Sequence, residues 1–243
     1  NVKDSVVVLL KFIDMSEFEM LRQHNNKVII DVIDCIANNE YTIEEICQAP
    51  FDGVIVPTEK LAITAKRLNP RLEVGVLYHH WDKKHLKNIE YYKQTEEYLF
   101  RLAYIGSPGG HFYQDEIDNL TAVYDWEKMT TTSPFYTCHY SVRSKDSTQF
   151  MYKPNTKASV AACVGANIIH SRDISLEKLL PPDYPYYTDT DLQSVQRMAK
   201  YAKETFGSEV WRSGLDMMRE LKERTSIERI AGVDYINYLK KFD

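Results

Sequence analysis

Short apolar runs alternate with segments of helical spacing along most of this chain. Residues 6–10 (VVVLL), 27–34 (KVIIDVID), 52–56 (DGVIV) and 72–77 (LEVGVL) read as buried strands. Between them, Ser16 with Glu19 forms a capping box that opens a helix through Leu21, residues 42–47 form a short helix, and Thr58 caps a helix to Leu68. Strands and helices at this spacing imply parallel βαβ units. Residues 83–97 are polar and read as a linker or hinge. The alternation then restarts: strand 100–105, helix 112–117, a weak strand 120–123, a stronger strand 135–142, a helix from about Thr156, a strand at Ile168 and Ile169, a helix 176–180 and a short strand at Tyr186 and Tyr187. Three helices follow, at 192–206, 209–224 and 227–242, with Gly207 as the stop for the first. The expected fold class is α/β, two Rossmann-like layers with a helical C-terminal end. The expected domains are 1–82, a hinge at 83–97, and 98–243.

Composition narrows the classes. With 44% hydrophobic residues in 243, a sizeable core is affordable, and disorder or a fibre is excluded. The net charge of -5, from 30 basic and 35 acidic residues spread along the chain, argues against nucleic acid or an anionic membrane as partner. Any anion site must be local. Cys35, Cys47, Cys138 and Cys163 lie far apart without CxxC spacing and read as reduced core thiols. No apolar run is long enough to span a membrane and no signal peptide is evident, so the expectation is a cytoplasmic protein. The chain starts NVKD, which is compatible with its being part of a longer polypeptide.

Candidate chemistry concentrates at residues 153–172, KPNTKASVAACVGANIIHSR. Lys153, Thr156 and Lys157 crowd a helix start, where backbone N–H groups and the helix dipole favour an anion such as phosphate. Arg143, closing the strand YTCHYSVR, would add a bidentate donor for phosphate oxygens; the bland reading is a solvated basic loop. Gly106 and Ser107 begin a GSPGG loop directly after a strand, so its backbone could approach a phosphate or a sugar, or simply turn. Neither GxGxxG nor a Walker loop is present. Asp34 reads either as a general base or as a turn cap, and one of His79 and His80 could take a proton or bind a ligand. The HHWD run has no further metal ligand nearby, and Asp189-Thr190-Asp191 reads as a helix cap, with Thr190 and Gln193 as a capping box, rather than as a metal-binding DxD. For His111, His139 and Tyr140 the sequence leaves ligand contact and ordinary packing equally open.

TKASVAACVGANII, at 156–169, resembles the SK-x-x-E-Y-x-A-x-G-x-P-V-I element of the donor domain in GT-B glycosyltransferases of the group with two Rossmann-like domains, with Lys157, Gly165 and Ile169 matching. VIIDVID, FDGVIVPTEKLA, VGVLYHHWD, PDYPYYTDTDLQSVQRMAKYAKETFG and RTSIERIAGVDYINYLKKF resemble further segments of that family in the same order. The resemblance implies transfer of a sugar from a nucleotide-diphosphate donor to a glycan or other acceptor, as in polysaccharide biosynthesis, with no bound metal and no cofactor beyond the nucleotide sugar as co-substrate. It implies that Arg143, Lys153, Thr156 and Lys157 hold the departing diphosphate, that Gly106 and Ser107 admit the donor, and that Asp34, His79 or His80 act on the acceptor side. Two departures stand out. The acidic pair E-x7-E is replaced by Tyr152 and Val160, and the first domain lacks the opening strands and glycine loop of a full acceptor domain. A nucleotide-sugar or glycan binding domain without catalysis, and a sugar-nucleotide epimerase-like enzyme, are the alternatives.

Overall fold

The computed structural model describes residues 2–11, 15–33, 36, 40–86, 89, 98–108, 112–113, 115–143 and 152–242. The chain divides into two compact units: residues 1–79, 147–154 and 228–243 form one, and residues 80–146 and 155–227 the other.

The first unit carries a parallel four-stranded sheet in the order β1 (Val6–Leu10), β2 (Lys27–Asp31), β3 (Gly53–Val56), β4 (Glu73–Val76). Strands β2 and β3 are apolar on both faces because both faces are covered. Val28, Ile30, Val54 and Val56 pack with Phe18, Ile46 and Leu61 from helices α1 (Met15–Gln23), α2 (Ile43–Gln48) and α3 (Glu59–Leu68). Ile29 and Ile55 point the other way, onto Tyr238. Thr42 and Glu45 cap α2 reciprocally, and Thr58 caps α3 by accepting from the Leu61 N–H.

Tyr238 marks the main difference from the expected domain plan. Its hydroxyl donates to the carbonyls of Val54 (3.2 Å) and Glu73 (3.0 Å), and a Cβ on Gly75 would come within 2.5 Å of its ring. The last helical segment, residues 227–242, therefore closes the first sheet instead of extending the second domain. That segment is not one regular helix: Ile230–Tyr235 is π-helical, between α-helical turns at Ile227–Arg229 and Ile236–Leu239. The boundary after β4 also falls earlier than residue 82. Trp81 belongs to the second unit, where its backbone N–H and indole N–H donate to Thr225 O (3.2 Å) and Lys222 O (2.8 Å). Within the expected hinge, Lys83–Leu86 forms a 3-10 turn, and 87–88 and 90–97 lie outside the described residues.

The second unit has a parallel five-stranded sheet in the order β6 (Leu120–Val123), β5 (Leu102–Ile105), β7 (Cys138–Ser141), β8 (Asn167–Ser171), β9 (Tyr187–Thr188). Strand β5 thus has its successor β6 on one side and β7 on the other. The order reverses between β5 and β7, and in open α/β sheets ligands bind at the carboxyl ends of the strands flanking such a point. Helices α4 (Trp126–Thr132), α5 (Thr156–Val164), α6 (Ile174–Glu177), α7 (Leu192–Glu204) and α8 (Glu209–Arg224) surround this sheet. Helix α5 is buried from Ala158 to Val164, and its small residues let it pack on β7, β8 and α8. Gly165 ends it with φ 76°, its N–H bonding to Ala161 O and Ala162 O, while the Lys222 ammonium donates to Cys163 O at 2.9 Å.

Three local expectations are corrected. Residues 112–117 form no helix among the described residues: Tyr113 and Asn119 take left-handed conformations (φ 59° and 62°) and the chain turns between them. Helix α4, capped by Asp125, occupies a stretch to which the sequence pattern assigns no element, and the strand expected from 135 begins at Cys138. Helix α7 is capped by Asp191, which accepts from Ser194 N at 2.9 Å, rather than by Thr190 with Gln193. Cys47, Cys138 and Cys163 are free and buried, as expected for core thiols; Cys35 lies outside the described residues.

Candidate functional site

At the carboxyl ends of β5 and β7, where the strand order reverses, the second unit encloses a cavity of about 200 Å³. It gathers four of the residues expected to hold the donor: Gly106 and Ser107 from the turn after β5, and Thr156 and Lys157 from the first turn of α5. His85, His139 and Tyr140 join them, with Ile105, Met129 and Val160 as apolar wall and Thr130 beside them.

Each side chain is held by its element. Lys157 reaches back over the β5 turn, its ammonium 5.0 Å from the centroid of the Tyr104 ring. A Cβ on Gly106 would stand 2.6 Å from that ammonium and 2.7 Å from the Tyr104 hydroxyl, so a side chain here would push Lys157 out of its present path. The Tyr104 hydroxyl donates to Ser107 O at 2.9 Å, and burial pushes its pKa up to about 12, which keeps it a donor that pins the turn. Helix α5 carries no acid in its first turn, whereas α1, α2, α3, α4 and α8 each carry at least one. A lysine there opposes the helix dipole, an arrangement that an anion relieves.

Asn155 precedes this helix and makes no capping bond; its side-chain oxygen and nitrogen are both buried without a hydrogen-bond partner. An unsatisfied buried amide costs about 1–3 kcal/mol. Sequence reading passes over Asn155 because asparagine before a helix reads as a satisfied cap.

Two imidazoles meet at Ser133, which is fully buried. His139 Nε2 lies 3.2 Å from Ser133 O, and His85 Nδ1 lies 3.2 Å from Ser133 Oγ. Burial lowers the His139 pKa to about 4 and, with Lys84, lowers that of His85, so both rings are neutral near pH 7. His85 falls in the expected linker, and Met129 and Thr130 sit on the unanticipated α4, so neither was visible as a site residue in the sequence.

The remaining candidates are distributed differently. Arg143 follows β7; its backbone N–H donates to Ser171 Oγ at 3.2 Å, and its charge helps burial hold His170 down to about 4. His170 and its cross-strand neighbour Ser141 are buried, with His170 Nε2 and Ser141 Oγ unpartnered. Lys153 falls in the first unit and Lys157 in the second. His79 closes the first unit, and His80 opens the second with its Nδ1 2.9 Å from Trp81 O. Asp34, His111, Gly109 and Gly110 lie outside the described residues.

No protein-family model matches this sequence, and a search of curated proteins finds no match. Solved structures do match. Sucrose-phosphate synthase from Thermosynechococcus elongatus superposes with a TM-score of 0.65 over 98% of this chain and 73% of its own, at 12% identity. Trehalose-6-phosphate synthase gives 0.67 over 99% and 74%, at 9% identity. HepE from Anabaena, solved in complex with UDP-glucose, gives 0.61 over 90% and 71%, at 9% identity. The fold is GT-B. Within the GT-B frame the donor-domain element resembled by residues 156–169 is α5, the turn at Gly165 and β8. Val160, which stands where that element carries an acid, is part of the apolar wall, and Tyr152 packs against the core of the first unit.

Proposed function

We propose that this GT-B chain is a glycosyltransferase that takes its sugar from a nucleoside-diphosphate donor held in the second unit, at the cavity between β5, β7 and α5. The observation that carries this is Lys157: a cation in the first turn of a buried helix, threaded over a glycine, at the point where the strand order reverses. Two structural neighbours were solved with a UDP sugar, HepE with UDP-glucose and the E. coli trehalose protein with UDP-2-fluoro glucose. A departing nucleoside diphosphate gains negative charge in the transition state. Lys157, the α5 N–H groups, Thr156 and the Asn155 amide supply donors for it, so no metal is required in this reading. Arg143, which does not line the cavity, is the proposed second cation for the diphosphate. Gly106 and Ser107 leave room for the donor, and Asp34, His79 and His80 are the proposed acceptor-side groups, with a glycan as acceptor.

Lys157→Ala tests the reading directly. Loss of one charge-assisted contact to phosphate should weaken nucleoside-diphosphate binding by about 10- to 100-fold, with an unchanged melting temperature. Titration calorimetry with UDP, ADP and GDP, paired with a mass-spectrometric product assay on mixed nucleotide sugars, measures binding and transfer separately. Unchanged affinity in the variant would overturn the site. Val160 in the wall favours one second reading, a nucleotide-sugar binding domain without catalysis. Binding without transferred or hydrolysed product would select it.

A further inference from the structure

The cavity described above is more apolar than a phosphate site requires. Ile105, Met129 and Val160 line it together with two neutral imidazoles, those of His85 and His139. A sugar ring enclosed there would set hydroxyls against Ile105, Met129 and Val160 with no partner, at a cost of about 1–3 kcal/mol for each unsatisfied group. A planar heteroaromatic ring has apolar faces and places its polar atoms only at the edge, so it suits these walls better.

What such an edge would meet is fixed by the hydrogen bonds already made. The Thr130 hydroxyl donates to Glu127 O at 3.1 Å, and the Tyr140 hydroxyl donates to Phe112 O at 2.8 Å. His85 is turned to Ser133 Oγ. His139 is defined most sharply. Its Nε2 faces a backbone carbonyl, which can only accept, so Nε2 carries the proton and Nδ1 keeps a lone pair. Ser133 belongs to the 3-10 turn Ser133–Phe135 that follows α4, and this turn fixes the tautomer.

We infer that His139 anchors the nucleobase of the donor by accepting, at Nδ1, a hydrogen bond from an N–H on the edge of the base, while Ile105, Met129 and Val160 pack on its faces. This rests on the proposed nucleoside-diphosphate site and adds the group that holds the base. Burial supports it by keeping the ring neutral, and therefore an acceptor, down to about pH 4.

The test uses the full chain and titration calorimetry with UDP, GDP, ADP and inorganic pyrophosphate, followed by the tightest nucleotide with its N–H edge methylated: N3-methyl-UDP, N1-methyl-GDP or N6,N6-dimethyl-ADP. The expected result is a loss of about ten-fold or more on methylation, the size of one hydrogen bond that leaves a buried acceptor unpaired. His139→Phe should lower affinity for the parent nucleotide to a similar degree and leave pyrophosphate affinity unchanged, a split that a general loss of structure would not give. If His139→Phe does not fold, the methylated ligand on the unaltered chain decides. Equal binding of methylated and parent nucleotide would overturn the role of His139 and leave the diphosphate site standing. Pyrophosphate binding as tightly as every nucleotide would do the same. If neither pyrophosphate nor any nucleotide binds, the site and the inference fall together.

Discussion

In the proposed nucleotide site, Asn155 would set stability against binding. Its amide is buried and unpartnered next to a helix start that also carries a lysine against the dipole. Asn155→Ala removes an unsatisfied polar group, so thermal stability should hold or rise by up to about 1 kcal/mol, while nucleotide affinity falls several-fold. Differential scanning calorimetry with and without UDP reads both effects; a clear loss of stability without ligand would show that the amide supports the fold. At this scale the sequence was partly legible. Lys157 and Thr156 stand out because they precede a run of small apolar residues, and Gly106 because it follows a strand. For His139 the sequence leaves ligand contact and packing open, because the carbonyl that fixes its tautomer comes from a turn that sequence pattern does not announce.

Among the elements, both sheets and most helices follow from the apolar period. Helix α4 was hidden by its own composition, WEKMTTT. Threonines favour strands, and here they are accommodated in a helix by donating back to it: Thr131 and Thr132 hydroxyls reach the carbonyls of Glu127 and Lys128 at 3.2 and 2.7 Å. The final helical segment was legible as a helix but not in its destination, because apolar spacing says that a face is buried and not against which sheet. Tyr238 decides that, filling the slot left by Gly53 and Gly75. Tyr238→Ala removes this ring and two hydrogen bonds to carbonyls, and should destabilise the first unit by about 3–5 kcal/mol. Hydrogen exchange should then quicken in β2, β3 and β4 first. Equal acceleration throughout β5–β9 would contradict the assignment of residues 228–243 to the first unit.

Across the whole molecule, pH acts through imidazoles held neutral by burial. His139 and His170 have pKa values lowered to about 4, against an ordinary value near 6.5. Between those limits the unfolded chain binds more protons than the folded one, so the stability associated with these rings is fully present above about pH 6.5 and is lost as pH falls toward 4. Each is worth on the order of 3 kcal/mol. Urea unfolding at pH 7.5, 6 and 5 should show midpoints falling steadily across that window; a flat profile would mean that the rings are solvated.

Residues 228–243 complete a unit whose four strands, β1 to β4, precede the whole second sheet in the chain. On the ribosome, β1 to β4 emerge before β5 to β9, yet the face bearing Ile29 and Ile55 stays uncovered until Tyr238 has been synthesised. Domains generally fold as units while the chain grows, and exposed apolar sheet faces are what chaperones recognise and aggregates form from. The second unit has all of its strands out before the first can close. A nascent chain stalled before Tyr238 should therefore be protease-resistant across β5–β9 and still cleavable within β1–β4.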